Sequence, residues 1–312
     1  MANIIDTIKA RKQKLSEISD YNHNPIISVV VESFNTSTLH PGFIELMVKS
    51  FRKGFDEIIV CEDGAVDNTR EKWKGLLDHA NDFIICSNDL CEILAYDRAI
   101  NLAKSDIVCL CQDDDIYPED GKWISDALAL FDAHEDLAIL GGYEGQFPNI
   151  KGGSSQPMVK MWGGIIPFID PKTKLHFMHT CSVNLAPMFI RKSMYKKVNG
   201  FNADYAIRGH IGDAFDSELC YRMWNAGYKV GSYYIHGLKT DVGDVEADVE
   251  QGDHVRTGVT FTENFSSLSW TNFLKLFDSF DTNNLIKMSL NANKSLIMDK
   301  DSKGWDKYHS VG

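Results

Sequence analysis

The stretch that decides the fold runs from Ser105 to Pro118 and reads Ser-Asp-Ile-Val-Cys-Leu-Cys-Gln-Asp-Asp-Asp-Ile-Tyr-Pro. Residues 107 to 111 are all apolar and follow one another without a polar break. A short apolar run of this kind predicts a strand with both faces buried, as in a parallel sheet. Three aspartates, 113 to 115, follow the run, so the sequence predicts a buried strand with carboxylates at its carboxyl end.

These carboxylates repel one another, and holding them beside apolar surface is costly unless a cation is bound. Asp113 and Asp115 are two positions apart, so on an extended chain both side chains point to the same face. Two carboxylates on one face suit Mg²⁺ or Mn²⁺, with substrate phosphates and water completing the coordination shell. Read alone, the triplet favours a solvated turn before a helix near Pro118. The buried strand and the rest of the chain favour the metal site.

The composition limits the classes of function. The chain has 312 residues, of which 44% are hydrophobic and 24% charged, as in an ordinary soluble globular protein. Its net charge of -12 argues against a general nucleic-acid binder, because phosphate contacts need a basic surface. Seven cysteines without a Cys-x-x-Cys pair indicate buried thiols in a reducing compartment. No apolar run approaches about 18 residues, so we predict a cytoplasmic protein without a transmembrane segment.

The first half of the chain alternates strands and helices. Strands are predicted at residues 26–31, 57–61 and 83–86, and helices at about 41–53 and 92–104. Such a repeat with short loops predicts a parallel, doubly wound sheet. Right-handed crossovers place the carboxyl ends of the strands at one edge of the sheet. Asn35, Asp63 and residues 113–115 are therefore expected to converge on one crevice.

The second half is richer in loops. Strands are predicted at residues 138–140, 185–190 and 228–235, and helices at about 118–134 and 213–226. Residues 142–180 hold glycine-rich loops with scattered Met, Phe and Trp. Aromatic residues in such loops form either a sugar-stacking platform or a small second core.

The ends of the chain predict appendages. Residues 1–24 predict an amphipathic helix that packs on the domain or on a second subunit, with a peripheral membrane surface as the alternative. The acidic residues within 241–265 predict a solvated loop rather than a lid. Residues 266–312 have apolar residues at helical spacing, which predicts helices that cover the domain or form a homodimer contact.

With these residues in view, the chain resembles the family 2 glycosyltransferases over roughly Pro25 to His236. The motifs that carry the resemblance are the first strand and its loop at 25–35, the second strand and acidic turn at 57–69, the helix at 96–104, the Asp-x-Asp motif at 113–115, the turn at 198–201, and the helix at 216–222 with Gly227 and Tyr228. Each motif alone is weak, but their order along the chain is specific.

The resemblance implies an α/β fold of the GT-A (Rossmann-like) type, with a mostly parallel central sheet and flanking helices. The apolar spacing of residues 266–312 adds a C-terminal helical extension. It implies a glycosyltransferase domain at residues 25–240, divided into a nucleotide-sugar half at 25–141 and an acceptor half at 142–240.

The resemblance also implies roles for single residues. The positions implied to contact the nucleotide are Glu32, Asn35, Asp63, Arg98, Asp113 and Asp114. Asp113 and Asp115 match the metal-binding positions, which implies Mn²⁺ or Mg²⁺. Asp216 matches the catalytic base, with Asp213 as the fallback, although the preceding residue is Phe215 where the family often has glutamate. Alone, Asp216 would favour a helix N-terminal charge.

Further side chains are candidates for a third metal ligand or for a contact with a diphosphate. His236 ends a predicted strand and is a candidate third metal ligand through an imidazole nitrogen, ahead of His210 and His179. Arg208 and Arg222 are candidates for pairing with a diphosphate, and Arg222 is equally suited to an ion pair on a helix surface.

The implied reaction is the metal-dependent transfer of one sugar, with inversion, from a nucleotide-diphosphate donor to a glycan or other hydroxyl acceptor. The family's habits favour UDP and leave GDP and dTDP open. Glu32-Ser33 replaces the family's usual proline and small residue, which leaves the nucleotide undecided. The Gln-x-x-Arg-Trp signature of processive synthases is absent, which favours a single addition over polymerisation.

Two alternatives remain. A sugar nucleotidyltransferase needs a glycine-rich, basic loop after the first strand, whereas residues 32–38 contain no glycine, lysine or arginine. A glycosyltransferase-like protein that binds a nucleotide or sugar without turnover is supported only by Phe215.

Overall fold

The structure is a computed structural model. It describes residues 21–87, 90–148, 158–162, 166–185, 187–205, 214–240 and 265–299, together with residues 5, 6, 9, 10, 13, 14, 17 and 301. The helical residues among the first 14 are exposed to solvent. Predictions for Arg208, His210, Asp213 and most of the acidic loop lie outside the described residues.

The described strands form one large sheet and two small ones. Their bounds are β1 Ile27–Ser33, β2 Glu57–Glu62, β3 Phe83–Cys86, β4 Ile107–Cys111, β5 Leu137–Gly141, β6 Glu144–Pro148, β7 Met158–Trp162, β8 Phe168–Ile169, β9 Phe177–His179, β10 Ser182–Val183, β11 Met188–Arg191, β12 Lys229–Tyr233 and β13 Ile297–Met298. The large sheet has eight strands in the order β3-β2-β1-β4-β11-β5-β12-β9. The small sheets have the orders β10-β6-β7 and β13-β8.

Helices cover both faces of the large sheet. Their bounds are α1 Thr36–Leu39, α2 Phe43–Phe51, α3 Thr69–Leu76, α4 Cys91–Leu102, α5 Lys122–Ala133, α6 Lys192–Lys197, α7 Phe215–Asn225, α8 Phe265–Ser279 and α9 Thr282–Asn293. Side chains alternate between two cores along each central strand, so Val30 packs under α4 while Val29 and Val31 pack under α2 and α5. Burial on both faces explains the unbroken apolar runs of β1 and β4.

The sheet is mostly parallel. Parallel pairs join β3 to β2, β2 to β1, β1 to β4, and β5 to β12. β11 is antiparallel to both β4 and β5. Its chain arrives from the small sheet at the carboxyl end of β5, where Met188 faces Gly141, so it must run back toward the amino end of β4. Edge strand β9 is also antiparallel.

The predicted elements are present with shifted ends. The helix predicted from Pro118 begins at Lys122, after Gly121 in the left-handed region (φ 69°). The strand predicted at 185–190 is β11, Met188–Arg191. None of the helices that the structure describes is long and apolar enough to cross a membrane.

The C-terminal helices pack on the domain, as one of the two predicted alternatives has it. Asn293, at the end of α9, is buried and mimics a neighbouring strand for β9. Its Oδ1 accepts from the His179 amide at 2.6 Å, and its Nδ2 donates to the His179 carbonyl at 2.8 Å. This pairing satisfies backbone groups that an edge strand would otherwise leave open.

Candidate active site

The end of the central strand is tied to the loop after β1. The Asp113 carboxylate accepts through Oδ2 from the Phe34 amide at 3.0 Å and from the Thr36 hydroxyl. Thr36 also shares a hydrogen bond of 2.5 Å with Ser33, the last residue of β1. The first predicted metal-binding aspartate therefore also fixes the loop that follows the first strand.

Asp115 is the most buried of the three aspartates, with 2% of its surface exposed. Its Oδ2 accepts from the Tyr117 hydroxyl at 2.8 Å. Tyr117 is itself buried beneath α5, stacked on Trp123 with ring centroids 5.5 Å apart. Burial and the neighbouring Asp115 raise the pKa of Tyr117, so its hydroxyl stays a donor to the carboxylate.

The end of β2 contributes two buried carboxylates with different partners. Asp63 accepts through Oδ1 from the Ser87 hydroxyl at 2.8 Å and from the Leu90 amide at 3.0 Å, which ties β2 to the segment before α4. Glu62 accepts from the Ala65 amide at 2.5 Å and from Arg70 Nε at 2.6 Å. The acidic turn is thus organised by Glu62 and Arg70.

Asn35 bridges the first two strand ends. It lies in the left-handed region (φ 52°), which asparagine tolerates better than most residues. Its Oδ1 accepts from the Val66 amide at 2.9 Å, and the Asp63 amide donates to the Ser33 carbonyl at 3.1 Å. The structure therefore brings Asn35, Asp63 and Asp113 to one sheet edge.

Helix α4 presents a different residue from the one expected. Arg98 is exposed, on the same helix face as Leu94 and Leu102. Tyr96 is fully buried, and its hydroxyl donates to the Cys111 carbonyl at 2.9 Å, next to the aspartates. The helix therefore places Tyr96 beside the end of β4, whereas Arg98 is open to solvent.

Asp216 lies half-buried in the first turn of α7. The Ser217 amide donates to its Oδ1 at 2.6 Å. The Ser217 hydroxyl lies 3.4 Å from Gln146 Oε1 and 3.2 Å from the Ser182 hydroxyl, so the helix start is anchored on the small sheet. Ala214, just before α7, takes a left-handed conformation (φ 62°) that its methyl group disfavours.

The model of one protein family matches residues 28–193, a span that holds the three strand ends and the Asp-x-Asp motif. Its description is glycosyl transferase family 2. This chain belongs to the family 2 glycosyltransferases. Among curated proteins, none matches the sequence.

Solved structures place this glycosyltransferase in the GT-A fold. GalNAc-T7 with UDP, GalNAc and Mn²⁺ superposes with a TM-score of 0.51 at 12% identity, covering 68% of this chain and 43% of that one. S. aureus TarS, residues 1–349, gives a TM-score of 0.45 at 16% identity, covering 83% and 73%. Mannosyltransferase PcManGT from Pyrobaculum calidifontis with GDP-Man and Mn²⁺ gives 0.47 at 10% identity, covering 97% and 90%.

In this glycosyltransferase Arg222 ties helix α7 to the turn at residues 198–200. It pairs with Glu218 through Nε and NH2, both at 2.7 Å, and donates to the Val198 carbonyl at 2.5 Å and the Gly200 carbonyl at 2.7 Å. Gly200 has φ 70°, and a Cβ there would lie 2.7 Å from Asp97 Oδ1. These contacts favour the ion-pair alternative for Arg222 over a diphosphate contact.

The histidine candidates lie elsewhere. His236 is exposed, and its Nδ1 lies 3.3 Å from the Tyr234 hydroxyl. Among the residues that the structure describes, no group of three or more His, Cys, Asp or Glu is arranged to hold a metal. His179 is buried against Phe177 and Trp224, and burial lowers its pKa to about 3.

Sequence reasoning missed several residues of this edge: Thr36, Glu62, Arg70, Tyr96 and Tyr117. Two of them left a signal in the sequence. Tyr96 continues the buried helical spacing of Ile93, Ala99 and Ile100, whereas Arg98 falls between these positions. Tyr117 lies two residues after Asp115, the spacing at which side chains of an extended chain share one face.

Proposed function

We propose that this glycosyltransferase transfers one sugar, with inversion, from a nucleotide-diphosphate donor to the hydroxyl group of a glycan or other acceptor, and that the transfer depends on Mn²⁺ or Mg²⁺. The observation that carries the proposal is the junction of Asp113 with the loop after β1, which is itself bonded to the end of β2, beside the buried Asp115. The carboxyl edge of an α/β sheet is where ligands of this class bind.

The residues at this edge fit a divalent cation. Asp113 and Asp115 each have one oxygen oriented by protein donors, Phe34 and Thr36 for the first and Tyr117 for the second. Carboxylate oxygens are hard ligands of the kind that Mg²⁺ and Mn²⁺ prefer. When bound, such a cation neutralises charge on the departing diphosphate.

The chain's own groups orient the donor. Asn35 and Asp63 lie at adjacent strand ends, and each is fixed by a backbone amide from another segment. Groups that are already fixed lose little entropy when they bind a ligand. The loop after β1 is fixed by Asp113, so donor binding and the carboxylates are coupled through one hydrogen-bonded junction.

Asp216 is the proposed base. An acceptor hydroxyl is a poor nucleophile at neutral pH, and a carboxylate on the far side of the sugar can take its proton as it attacks. The Ser217 amide holds one oxygen of Asp216 in the first turn of α7. The proton moves from the acceptor oxygen to Asp216, the acceptor oxygen bonds to the anomeric carbon, and the nucleoside diphosphate leaves.

UDP and Mn²⁺ are the first ligands to test, because GalNAc-T7, which shares the fold, is described with both. Thermal unfolding should be measured with UDP, GDP, dTDP and CMP, each with Mn²⁺ and each with chelator. A ligand at about 100 times its dissociation constant adds roughly 2.7 kcal/mol of stability, or about 5 °C. A shift with one nucleotide only when Mn²⁺ is present supports the proposal. If no nucleotide raises the unfolding temperature, the result would favour the alternative, a glycosyltransferase-like binding protein without turnover.

A further inference from the structure

A cavity lies beside the carboxyl end of β12. Its volume is about 200 Å³, and it is bounded by the start of α5, the turn before β9 and the segment after β12. Pockets for drug-sized ligands occupy about 300–1,000 Å³, so this cavity fits a single small ring better than a nucleotide.

Three exposed rings line this cavity: His176, Tyr234 and His236. The Tyr234 and His236 rings meet edge to face with centroids 6.0 Å apart, and the Tyr234 hydroxyl lies 3.3 Å from His236 Nδ1. The Tyr234 amide donates to the His176 carbonyl at 3.3 Å, which holds the backbone of His176 beside them, and His176 Nδ1 lies 3.3 Å from the Ile166 carbonyl. Tyr234 has 40% of its surface exposed although most tyrosines of the domain are buried, so the chain keeps this apolar face open to solvent.

Charged groups also line the cavity. Lys122 Nζ contacts both oxygens of Asp126 at 2.6 and 2.5 Å, and Asp120 Oδ1 accepts from the Lys122 amide at 2.9 Å. Lys174, on the turn before β9, also lines the cavity. Carboxylates and ammonium groups offer both acceptors and donors to hydroxyl groups.

The cavity lies at the same edge of the large sheet as Asp113 and Asp115. Lys239 pairs with Ile116, the residue after Asp115, through hydrogen bonds of 2.8 and 3.1 Å. His236 precedes Lys239 by three residues, which is at most about 10 Å of extended chain. The Cα atoms of His236 and Asp115 therefore lie within about 20 Å of each other, the reach of a short oligosaccharide.

We propose that this cavity binds one pyranose ring of a saccharide acceptor, away from the hydroxyl that receives the new sugar. A lining that combines aromatic rings with hydrogen-bonding groups matches a pyranose, which has apolar C–H faces and a hydroxyl rim. The acceptor role rests on the proposed function. It assigns the acceptor to the glycans and gives His236 a place in acceptor binding rather than in metal binding.

The proposal is tested by saturation-transfer NMR on the full chain. The probes are methyl glycosides of glucose, galactose, mannose, N-acetylglucosamine, N-acetylgalactosamine, fucose and xylose, with di- to tetrasaccharides of the same sugars. We expect millimolar binding by part of the panel. Tyr234→Ala and His176→Ala should each weaken it by about 3- to 10-fold, since an aromatic contact contributes about 0.5–1.5 kcal/mol beyond its burial.

Matched variants separate the site from general effects. Tyr234→Phe keeps the ring and should retain most of the binding, and Tyr21→Ala, at a distant tyrosine, should retain all of it. Each variant's thermal unfolding reports whether it is folded. Absence of binding by the whole panel, or equal binding by wild type, Tyr234→Ala and His176→Ala, would overturn the proposal.

Nucleotide binding distinguishes this inference from the proposed function. Tyr234→Ala should keep the nucleotide-dependent thermal shift, and Asp115→Asn should lose that shift while binding the saccharide. If the protein binds the nucleotide but no saccharide, the proposed saccharide site is wrong and the proposed transferase function stands. Saccharide binding without nucleotide binding overturns the cavity's role as an acceptor site.

Discussion

The two halves of the domain are held together in different ways. In residues 25–141, the proposed nucleotide-sugar half, hydrogen bonds link strand ends to one another, as between Phe34 and Asp113 at 3.0 Å. In residues 142–240, the proposed acceptor half, residues far along the chain hold the structure. Asn293 bonds both backbone groups of His179, 114 positions away, and Ser289 lies 3.5 Å from Cys181.

This difference separates binding from stability. The half before residue 142 builds its site from its own strands, so a changed carboxylate there should alter ligand binding with little effect on folding. The acceptor half depends on α9, so a change in that helix should alter stability. It also carries the proposed base, whose loss should affect the chemical step alone.

The largest effect is expected at Asp216. Asp216→Asn keeps the shape of the side chain but cannot accept the acceptor proton, so transfer should fall by about 10²–10⁴-fold. The nucleotide-dependent thermal shift should stay, because Asp216 lies in the other half. Transfer is measured as nucleoside diphosphate release in the presence of acceptor.

Asp132→Asn, at an exposed residue of α5, is the control for this loss. A variant at position 216 that keeps transfer within about tenfold of wild type would remove the base assignment and with it the chemical role of the acceptor half.

Asn293→Ala should have the largest effect on stability. It leaves the buried amide and carbonyl of His179 without their partner, and each unsatisfied group costs about 1–3 kcal/mol. We expect a loss of roughly 2–4 kcal/mol in urea unfolding. Asn291→Ala changes an exposed residue of the same helix and should be nearly neutral. Equal losses in the two variants would mean that α9 does not support the edge strand in the way described.

Asp115→Asn tests the nucleotide-sugar half, where a changed carboxylate should alter ligand binding rather than stability. The amide oxygen can still accept from Tyr117, so the variant should unfold within about 0.5 kcal/mol of wild type. It removes one charge from the proposed cation site, so most of the roughly 2.7 kcal/mol added by saturating nucleotide with Mn²⁺ should disappear. Asp132→Asn should keep the full shift. A full shift in Asp115→Asn would exclude Asp115 as a metal ligand.

The sequence allowed more of the nucleotide-sugar half to be predicted than of the acceptor half. Each strand from β1 to β4 carries its own signal, an apolar run, which is buried in β1, β2 and β4, and the parallel connections fix where Asn35, Asp63 and Asp113 meet. The direction of β11 has no such signal, because an apolar run reads the same either way. It follows from the small sheet, which lies in the loop-rich stretch.

The positions of single side chains could likewise be predicted from the sequence only in part. The position of Asp113 follows from its strand, whereas its bonds to Phe34 and Thr36 depend on the loop conformation at Asn35. His236 was predicted as a candidate third metal ligand because it ends a strand. In the structure the chain after it turns to pair Lys239 with Ile116, and His236 lines the cavity beside β12. The path of a loop is set by tertiary contacts that neither spacing nor composition reports.

His179 gives the smallest and most specific test of how the acceptor half is held. Burial, with the nearby Lys229 and His134 charges adding to it, lowers its pKa to about 3, against about 6.5 in the unfolded chain. The unfolded state therefore binds a proton first as pH falls, so stability is present above about pH 6.5 and is lost toward pH 3. At pH 5 the protonation of His179 in the unfolded chain lowers the free energy of unfolding by about 2 kcal/mol.

His179→Phe keeps an aromatic ring against Phe177 and Trp224, so its free energy of unfolding should fall less between pH 7 and pH 5 than that of wild type. His79→Phe, at an exposed site, should follow wild type. Parallel pH profiles for the three proteins in urea unfolding would show that acid weakens the domain elsewhere.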